Sequence, residues 1–373
     1  MSVFLDHAAT SPLRPEALEA FVEASRIVGN ASSLHRSGQR ARAALEEARE
    51  ELAAAVGAHP SEVILTSGGS EADTIAVLGG WAARRDAGLP RCLVSAVEHP
   101  AVADAVARGA EVLPVDGDGL VDLDRAATLV DASVGLVSVQ WVNNETGVVQ
   151  PLAAVRSLAR DTWLHSDAVQ ALGHVPVDFA ASGLDLMSLS AHKVGGPVGI
   201  GALLARRETT PAAVGLGGGQ ERGVRSGTSP VALAAAFARA ASLAVDELAT
   251  EAGRLVDLRD RIVALVVGLG ARLNSREGGA PHIVNATFDG VRADDVLFLL
   301  DQLGVYASVG SACRAGVHQP SEVLLAMGRS LEDATSSLRF SLGHTSTGAD
   351  VEALEVALPQ ALDRARGAFG RGA

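Results

Sequence analysis

A single lysine, Lys193, stands among 31 basic residues, the other 30 of which are arginine. Arginine stays charged and is a poor amine nucleophile, whereas lysine can lose its proton in a suitable pocket and form a Schiff base. Lys193 closes the run Ser188-Leu189-Ser190-Ala191-His192-Lys193, which Gly195-Gly196-Pro197 follows. An apolar strand is expected to give way there to a glycine-rich turn, a place from which an amine can be presented to a ligand. The bland alternative is a lone surface lysine left by chance.

Two further segments carry chemistry. Thr66-Ser67-Gly68-Gly69-Ser70-Glu71 lies between an expected strand and an expected helix. Glycines allow close backbone approach there, and a helix N-terminus offers N–H groups and a positive dipole end to phosphate. Strand–glycine–helix turns are common, so this signal alone is weak. Asp167 follows Trp163-Leu164-His165-Ser166, at the end of another expected strand. A carboxylate there would keep a pyridine nitrogen protonated, so that the ring accepts electrons. It would serve equally as the N-cap of a helix beginning at Ala168. Taken together, a phosphate cradle, an acid for a ring nitrogen and a unique lysine make up the kit of a pyridoxal-phosphate enzyme.

These residues need a frame. The chain of 373 residues has room for one large and one smaller domain. At 48% hydrophobic and 20% charged it reads as an ordinary globular protein. A formal charge of −13 argues against a general nucleic-acid or anionic-membrane surface. Met1 to Asp6 lacks the basic start and apolar stretch of a signal peptide, and no window reaches the roughly 18 apolar residues of a membrane span. The expected location is the cytoplasm. Cys92 and Cys313 are far apart and form no CxxC pair, so both are read as free thiols. No spacing of a protein metal site occurs, although Cys313 could ligate an iron–sulfur cluster transiently.

Apolar strands are predicted at Val63-Ile64-Leu65, Cys92-Leu93-Val94, residues 112–115, 134–139, Trp163-Leu164-His165, 186–189 and 199–204. Helical stretches separate many of them, including an amphipathic one over 40–56. The class is therefore α/β, with a mostly parallel sheet whose strand ends gather the ligand residues. An alanine-rich helix follows Pro230, and a further helix over about 251–268 leads into a smaller α+β part. That part has strands near 282–288 and 304–309, helices near 292–303 and 320–327, and a closing helix from about 350. The expected division gives residues 15–250 to a large cofactor-binding domain. Residues 1–14 and 251–373 form a small one with a mobile loop at about 308–320.

The chain resembles the cysteine desulfurases of the NifS/IscS type, within the class V aminotransferase family, nearly end to end. The motifs are Leu5-Asp6-His7-Ala8-Ala9-Thr10, Gly29-Asn30-Ala31-Ser32-Ser33-Leu34-His35, Val97-Glu98-His99 and Val142-Asn143-Asn144-Glu145-Thr146-Gly147. They continue through His165-Ser166-Asp167-Ala168-Val169-Gln170, Ser190-Ala191-His192-Lys193, Gly217-Gly218-Gly219-Gln220-Glu221-Arg222 and Arg225-Ser226-Gly227-Thr228. Gly310-Ser311-Ala312-Cys313 and Leu338-Arg339-Phe340-Ser341-Leu342-Gly343 complete the set in the family order.

The resemblance implies a fold-type I pyridoxal 5'-phosphate enzyme and a role for each matching residue. Lys193 would hold the cofactor as a Schiff base and then move the substrate's α-proton. Asp167 would pair with the pyridine nitrogen, and Gln170 and Asn144 would reach the ring's phenolic oxygen. His99 would stack on the ring and assist proton transfers. Gly69, Ser70, Ser190 and His192 would surround the phosphate, and Thr228 would reach the phosphate of the opposite subunit, which implies a homodimer. Arg339, with Asn144, would clamp the carboxylate of L-cysteine, in the bidentate manner suited to guanidinium.

Cys313 sets the subclass. A polar, glycine-containing loop beside Arg314 is a poor setting for a core thiol and a good one for a reactive thiolate. Cys92, within an apolar strand, fits a buried thiol. The resemblance implies that Cys313 takes the substrate sulfur as a persulfide and that alanine leaves. A swinging loop would carry the sulfur to an acceptor, such as an iron–sulfur scaffold or a tRNA-thiolation enzyme. Alternatives remain at this level: a selenocysteine lyase, a class V aminotransferase with an incidental cysteine, or a non-catalytic scaffold. The chain departs from its relatives at Ala31, Ser70, Ala72 and Thr74, with small effects expected, and in the 314–318 loop, which bears on the acceptor.

Overall fold

The computed structural model describes residues 2–310 and 319–369. Cys313 and most of its expected loop therefore lie outside the described residues.

A two-residue strand, β1 (Val3–Phe4), opens the chain. Seven strands then build the principal sheet: β2 (Val63–Thr66), β3 (Arg91–Ser95), β4 (Glu111–Leu113), β5 (Val134–Ser138), β6 (Trp163–Asp167), β7 (Leu186–Ser190) and β8 (Gly201–Ala205). Their order across the sheet is β2-β8-β7-β6-β5-β3-β4. All neighbours are parallel except those of β8, which runs antiparallel to both β2 and β7. The α/β expectation is met. Every residue of β2, β5, β7 and β8 is buried, because helices cover both faces. This is why those strands read as unbroken apolar runs rather than alternating ones.

The amphipathic segment forms a longer helix than its sequence pattern alone suggests, Arg36–Ala55. Ala41, Leu45, Ala48 and Leu52 recur at three- and four-residue spacing and are buried against the alanine-rich helix Val231–Asp246. Truncating Leu52, which is 1% exposed, to alanine would cost about 2–5 kcal/mol.

Beyond helix Leu248–Gly268 the chain makes β9 (Arg272–Leu273), β10 (Ile283–Thr287), β11 (Val305–Tyr306) and β12 (Ser337–Ser341). Strands β12-β10-β9 form an antiparallel sheet, and β11 pairs in parallel with β1. The strand expected near 304–309 is thus only two residues long, and β12 is an element the apolar pattern missed. Helices Ala293–Gln302, Glu322–Ala326 and Gly348–Phe369 match the expected positions. Val3 and Leu5 pack in one cluster with Leu255, Ile262, Val284, Val296, Phe340 and Leu358, apart from the core of the principal sheet. None of the described helices is long and apolar enough to cross a membrane.

Candidate active site

The carboxyl ends of β3, β5, β6 and β7 converge on a cavity of about 400 Å³. It gathers Gly69, Ser70, His99, Asn144, Asp167, Gln170, Ser190, His192, Lys193 and Arg339, residues separated by as many as 270 positions in sequence. Of the expected site residues among those described, only Thr228 is missing from this wall, and Cys313 lies outside the described residues. Thr228 is exposed and does not line the cavity of its own chain.

Lys193 stands in a single 3-10 turn, Ala191–Lys193, directly after β7. Gly195 follows with a φ of +81°, and a Cβ there would lie 2.6 Å from Arg14 Cγ. Only glycine makes this tight return without strain. The amine donates to the carbonyl oxygens of Ala8 (2.6 Å) and Ala9 (2.7 Å), so the N-terminal segment fixes the Nζ atom at the cavity wall. Burial, aided by the nearby Arg339 guanidinium, lowers its pKa to about 8. An amine so placed is deprotonated in useful amounts near neutral pH.

Asp167 is the last residue of β6, and its side chain is buried. Burial raises its pKa, while His99 and Lys193 oppose that rise. Its Oδ1 accepts from the Val169 N–H at 2.9 Å, as a capping residue would, but turns follow and no helix begins at Ala168. His99 accepts from the Ala101 N–H through Nδ1 at 3.2 Å, and burial lowers its pKa. The ring is thus neutral, with Nε2 left to carry the proton. His192 is likewise held down, to about 4, by burial and by Lys193.

Gly69 opens a helix directly after the loop that follows β2. A Cβ at Gly69 would sit 2.8 Å from Val169 Cγ2 and 3.4 Å from Ser190 Cβ, so a side chain would fill the space between the loop and the end of β7. On the opposite wall, Arg339 in β12 donates from Nη1 to the Asn144 carbonyl (2.8 Å) and from Nη2 to Asp6 (2.6 Å). Its Nε is buried without a partner.

The donor set fits pyridoxal phosphate on this chain's own geometry. An amine, a buried carboxyl, a neutral imidazole and a glycine cradle bounded by serine hydroxyls line one space. A protonated ring nitrogen would pair with the Asp167 carboxylate, whose ionised form burial otherwise disfavours.

Three acids of the site were not assigned roles by sequence reasoning. Glu98, Asp73 and Glu145 all line the cavity and are buried. Burial pushes Glu98 to about 8, although Ser95 Oγ and the Gln140 N–H donate to it. Burial and the adjacent Asp167 raise Asp73 well above its ordinary value. A charged residue between Ala72 and the buried run Ile75-Ala76-Val77 was the available signal for Asp73. Cys92 is buried in β3, with its thiol pushed up to about 12 by burial, which agrees with an inert role.

Residues 3–354 match the family model for aminotransferase class-V. Among curated proteins, the chain is 49% identical to an IscS-like cysteine desulfurase of Mycobacterium tuberculosis (strain ATCC 25618 / H37Rv), with 97% of each chain covered. It is 39% identical to the cysteine desulfurase IscS of Dictyoglomus turgidum (strain DSM 6724 / Z-1310), over 94% of this chain and 91% of that protein. Among solved structures, a NifS-like protein superposes with a TM-score of 0.90 at 32% identity, covering 98% of this chain and 100% of the other. SspA in complex with cysteine superposes at 0.80 with 29% identity, over 93% and 100% of the two chains.

Proposed function

The chain belongs to the class V aminotransferase family, and within it to the cysteine desulfurases of the NifS/IscS type, and from that premise we propose how its residues convert L-cysteine to L-alanine. The family is generally dependent on pyridoxal phosphate, and we infer the same cofactor here. When bound, pyridoxal phosphate supplies an electron-accepting ring conjugated to the substrate's amino nitrogen.

Lys193 would hold the cofactor, and its amine would move the substrate's α-proton. A pKa of about 8 suits both taking and returning a proton near neutrality. Asp167 would keep the cofactor's ring nitrogen protonated by pairing its carboxylate with the resulting cation. His99, which lines the cavity, would help hold the cofactor and offer Nε2 for proton transfer. Gly69, Ser70, Ser190 and His192 surround the phosphate. Asn144 and Gln170 orient the ring oxygen, and Arg339 binds the substrate carboxylate. Cys313, as a thiolate, attacks the substrate sulfur: the S–S bond forms, the substrate C–S bond breaks, and alanine departs after Cβ is protonated.

We further propose a division near residue 250, with the N-terminal 14 residues joined to the C-terminal part. The shared apolar cluster of Val3 and Leu5 with residues 255–365 supports it. Thr228, exposed and outside its own cavity, supports a homodimer in which it reaches the partner's phosphate. The persulfide then passes to an acceptor protein, such as an iron–sulfur scaffold or a tRNA-thiolation enzyme.

The observation that carries this reading is the meeting of Lys193, Asp167, His99 and Arg339 around one cavity. Its test compares wild type with Cys313→Ser, incubated with L-cysteine and a reductant. A yellow protein that yields alanine and sulfide in equal amounts, with sulfide lost in the variant, is expected. Equal sulfide from the variant would remove Cys313 from the mechanism, and a protein that stays colourless with added cofactor would overturn the role of Lys193.

A further inference from the structure

Gln170 is held from two directions. Its Nε2 donates to the Ala8 carbonyl at 2.8 Å, and its Oε1 faces His282 Nε2 at 3.2 Å. The carbonyl partner can only accept, which fixes the amide orientation, so His282 must donate from Nε2. His282 is therefore the Nε2–H tautomer, and its Nδ1 is buried without a partner. One hydrogen of the Gln170 amide remains to point at a ligand in the cavity.

His282 is itself clamped. Its ring stacks on His174 with centroids 3.6 Å apart and planes 20° from parallel. His174 donates from Nδ1 to the Leu172 carbonyl at 3.1 Å, so the stack is anchored in the same turn that carries Gln170. The His282 backbone is tied elsewhere. It directly precedes β10, where Asn285 pairs with Arg339 of β12, and its carbonyl accepts from Leu342 N–H at 2.8 Å. The charged and titratable groups that bear on His282 are His174, His7, Arg339 and Lys193, and burial keeps its ring neutral.

We propose that His282 is a positioning residue that links the strand pair carrying the substrate-carboxylate arginine to the Gln170 amide facing the cofactor. The Oε1 bond holds the Gln170 amide in a fixed relation to the strand pair that carries Arg339. A neutral donor suits this task, because a protonated ring would set a charge beside Lys193 and Arg339. The proposal rests on the reading above that Gln170 donates to the ring oxygen of pyridoxal phosphate.

The test uses the holoenzyme and the pH midpoint at which the bound cofactor's visible band changes without substrate. That band reports a proton held beside the ring oxygen. When the Gln170 amide is misplaced, the oxygen keeps more negative charge and the neighbouring proton is held to higher pH. His282→Phe keeps the stack and removes the donor, and it is expected to raise the midpoint by about 0.5–1 pH unit, the scale of one hydrogen bond. His282→Gln, whose amide can donate from near the Nε2 position, is expected to return it to the wild-type value. Gln170→Leu should raise the midpoint at least as far, and adding His282→Phe to it should produce no further shift. A wild-type midpoint in His282→Phe, with Gln170→Leu shifted, overturns the proposal alone. A wild-type midpoint in Gln170→Leu sinks the ring-oxygen reading and the proposal with it. Should the phenylalanine variant fail to fold, His282→Asn replaces it, being polar but too short to reach Gln170.

Discussion

The floor of the site and the wall behind it bury their ionisable groups in opposite ways. The floor, at the ends of the principal strands, holds Asp73, Glu98 and Asp167, all raised by burial. The wall, where the N-terminal segment and the β10–β12 pair meet the turn after β6, holds His7, His174, His282 and His344, all lowered chiefly by burial. Desolvation disfavours charge in both places, so the acids gain protons and the histidines lose them. The difference lies in what can relieve them. The floor faces a cavity that admits a cationic ring, whereas the histidines face one another and Arg14, Lys193, Arg254 and Arg339, where further positive charge is repelled. Glu247 and Glu251 offset that repulsion only at His174 and His344. The floor is therefore built for a ligand's charge, and the wall is built to remain uncharged.

If the reactive half is the floor, removing its amine must have the largest consequence. Lys193→Ala is expected to lower kcat by about 10³-fold or more, the upper range for loss of a general acid–base, and to abolish the visible band of the bound cofactor. Steady-state alanine production and an absorption spectrum check this together. A coloured variant with near-normal turnover would break the contrast at its root. Asp167→Asn comes next. The amide cannot balance a ring cation, and a drop on the order of 10²-fold is expected, as for loss of one preorganised electrostatic partner. Because the amide also accepts poorly from a protonated nitrogen, cofactor affinity should fall as well, which equilibrium dialysis would measure.

How far this division was legible in the sequence depends on the length scale of the signal. Lys193 was visible as the chain's single lysine, and Asp167 and the Gly68-Gly69 turn because each lies where an apolar strand run ends. The α/β class followed from the same runs. Strand β12 was missed because Ser337-Leu338-Arg339-Phe340-Ser341 offers no apolar run, although its alternation is a strand pattern, and the fold buries both of its faces beside β10 and the N-terminal segment. The Ala8 and Ala9 carbonyls that hold Lys193 are backbone atoms some 185 positions away and leave no residue-type signal. The histidine wall was invisible for a related reason. Its members come from four separate segments, and only the fold brings His174 onto His282.

The floor's buried acids sharpen the comparison through stability. Glu98 has a folded pKa of about 8 against 4.5 for the free group. A raised folded value means that stability is fully present below about pH 4.5 and is lost as pH rises toward 8, since unfolding releases the proton. Glu98→Gln keeps an acceptor for Ser95 and the Gln140 N–H and removes this titration. The variant apoprotein is expected to match wild type near pH 5 and to exceed it at pH 8 by a few kcal/mol, on the order of one such pKa displacement. Urea denaturation at both pH values would show it. Equal stabilities at pH 8 would mean that the carboxyl is ionised and satisfied in the folded protein.

The wall gives the smallest effect and the opposite sign. His174 is lowered from 6.5 to about 4 by burial, with His344 and Arg14 disfavouring charge further. A depressed imidazole binds no proton in the folded state at pH 5.5, while the unfolded chain binds nearly one. Stability is therefore complete above about pH 6.5 and declines as pH falls toward 4, at up to ~1.4 kcal/mol per pH unit for this residue. His174→Phe keeps a ring against His282 but cannot titrate, so the slope of unfolding free energy between pH 6 and 5 should fall by about that amount. Its absolute stability at pH 7.5 changes less, through loss of the bond to the Leu172 carbonyl, by about 1 kcal/mol. An unchanged slope would show that His174 is protonated in the folded protein, and the wall would then carry charge as the floor does. A reduced slope here, together with the reversed slope of Glu98→Gln, would establish that the two halves of the pocket exclude charge of opposite sign.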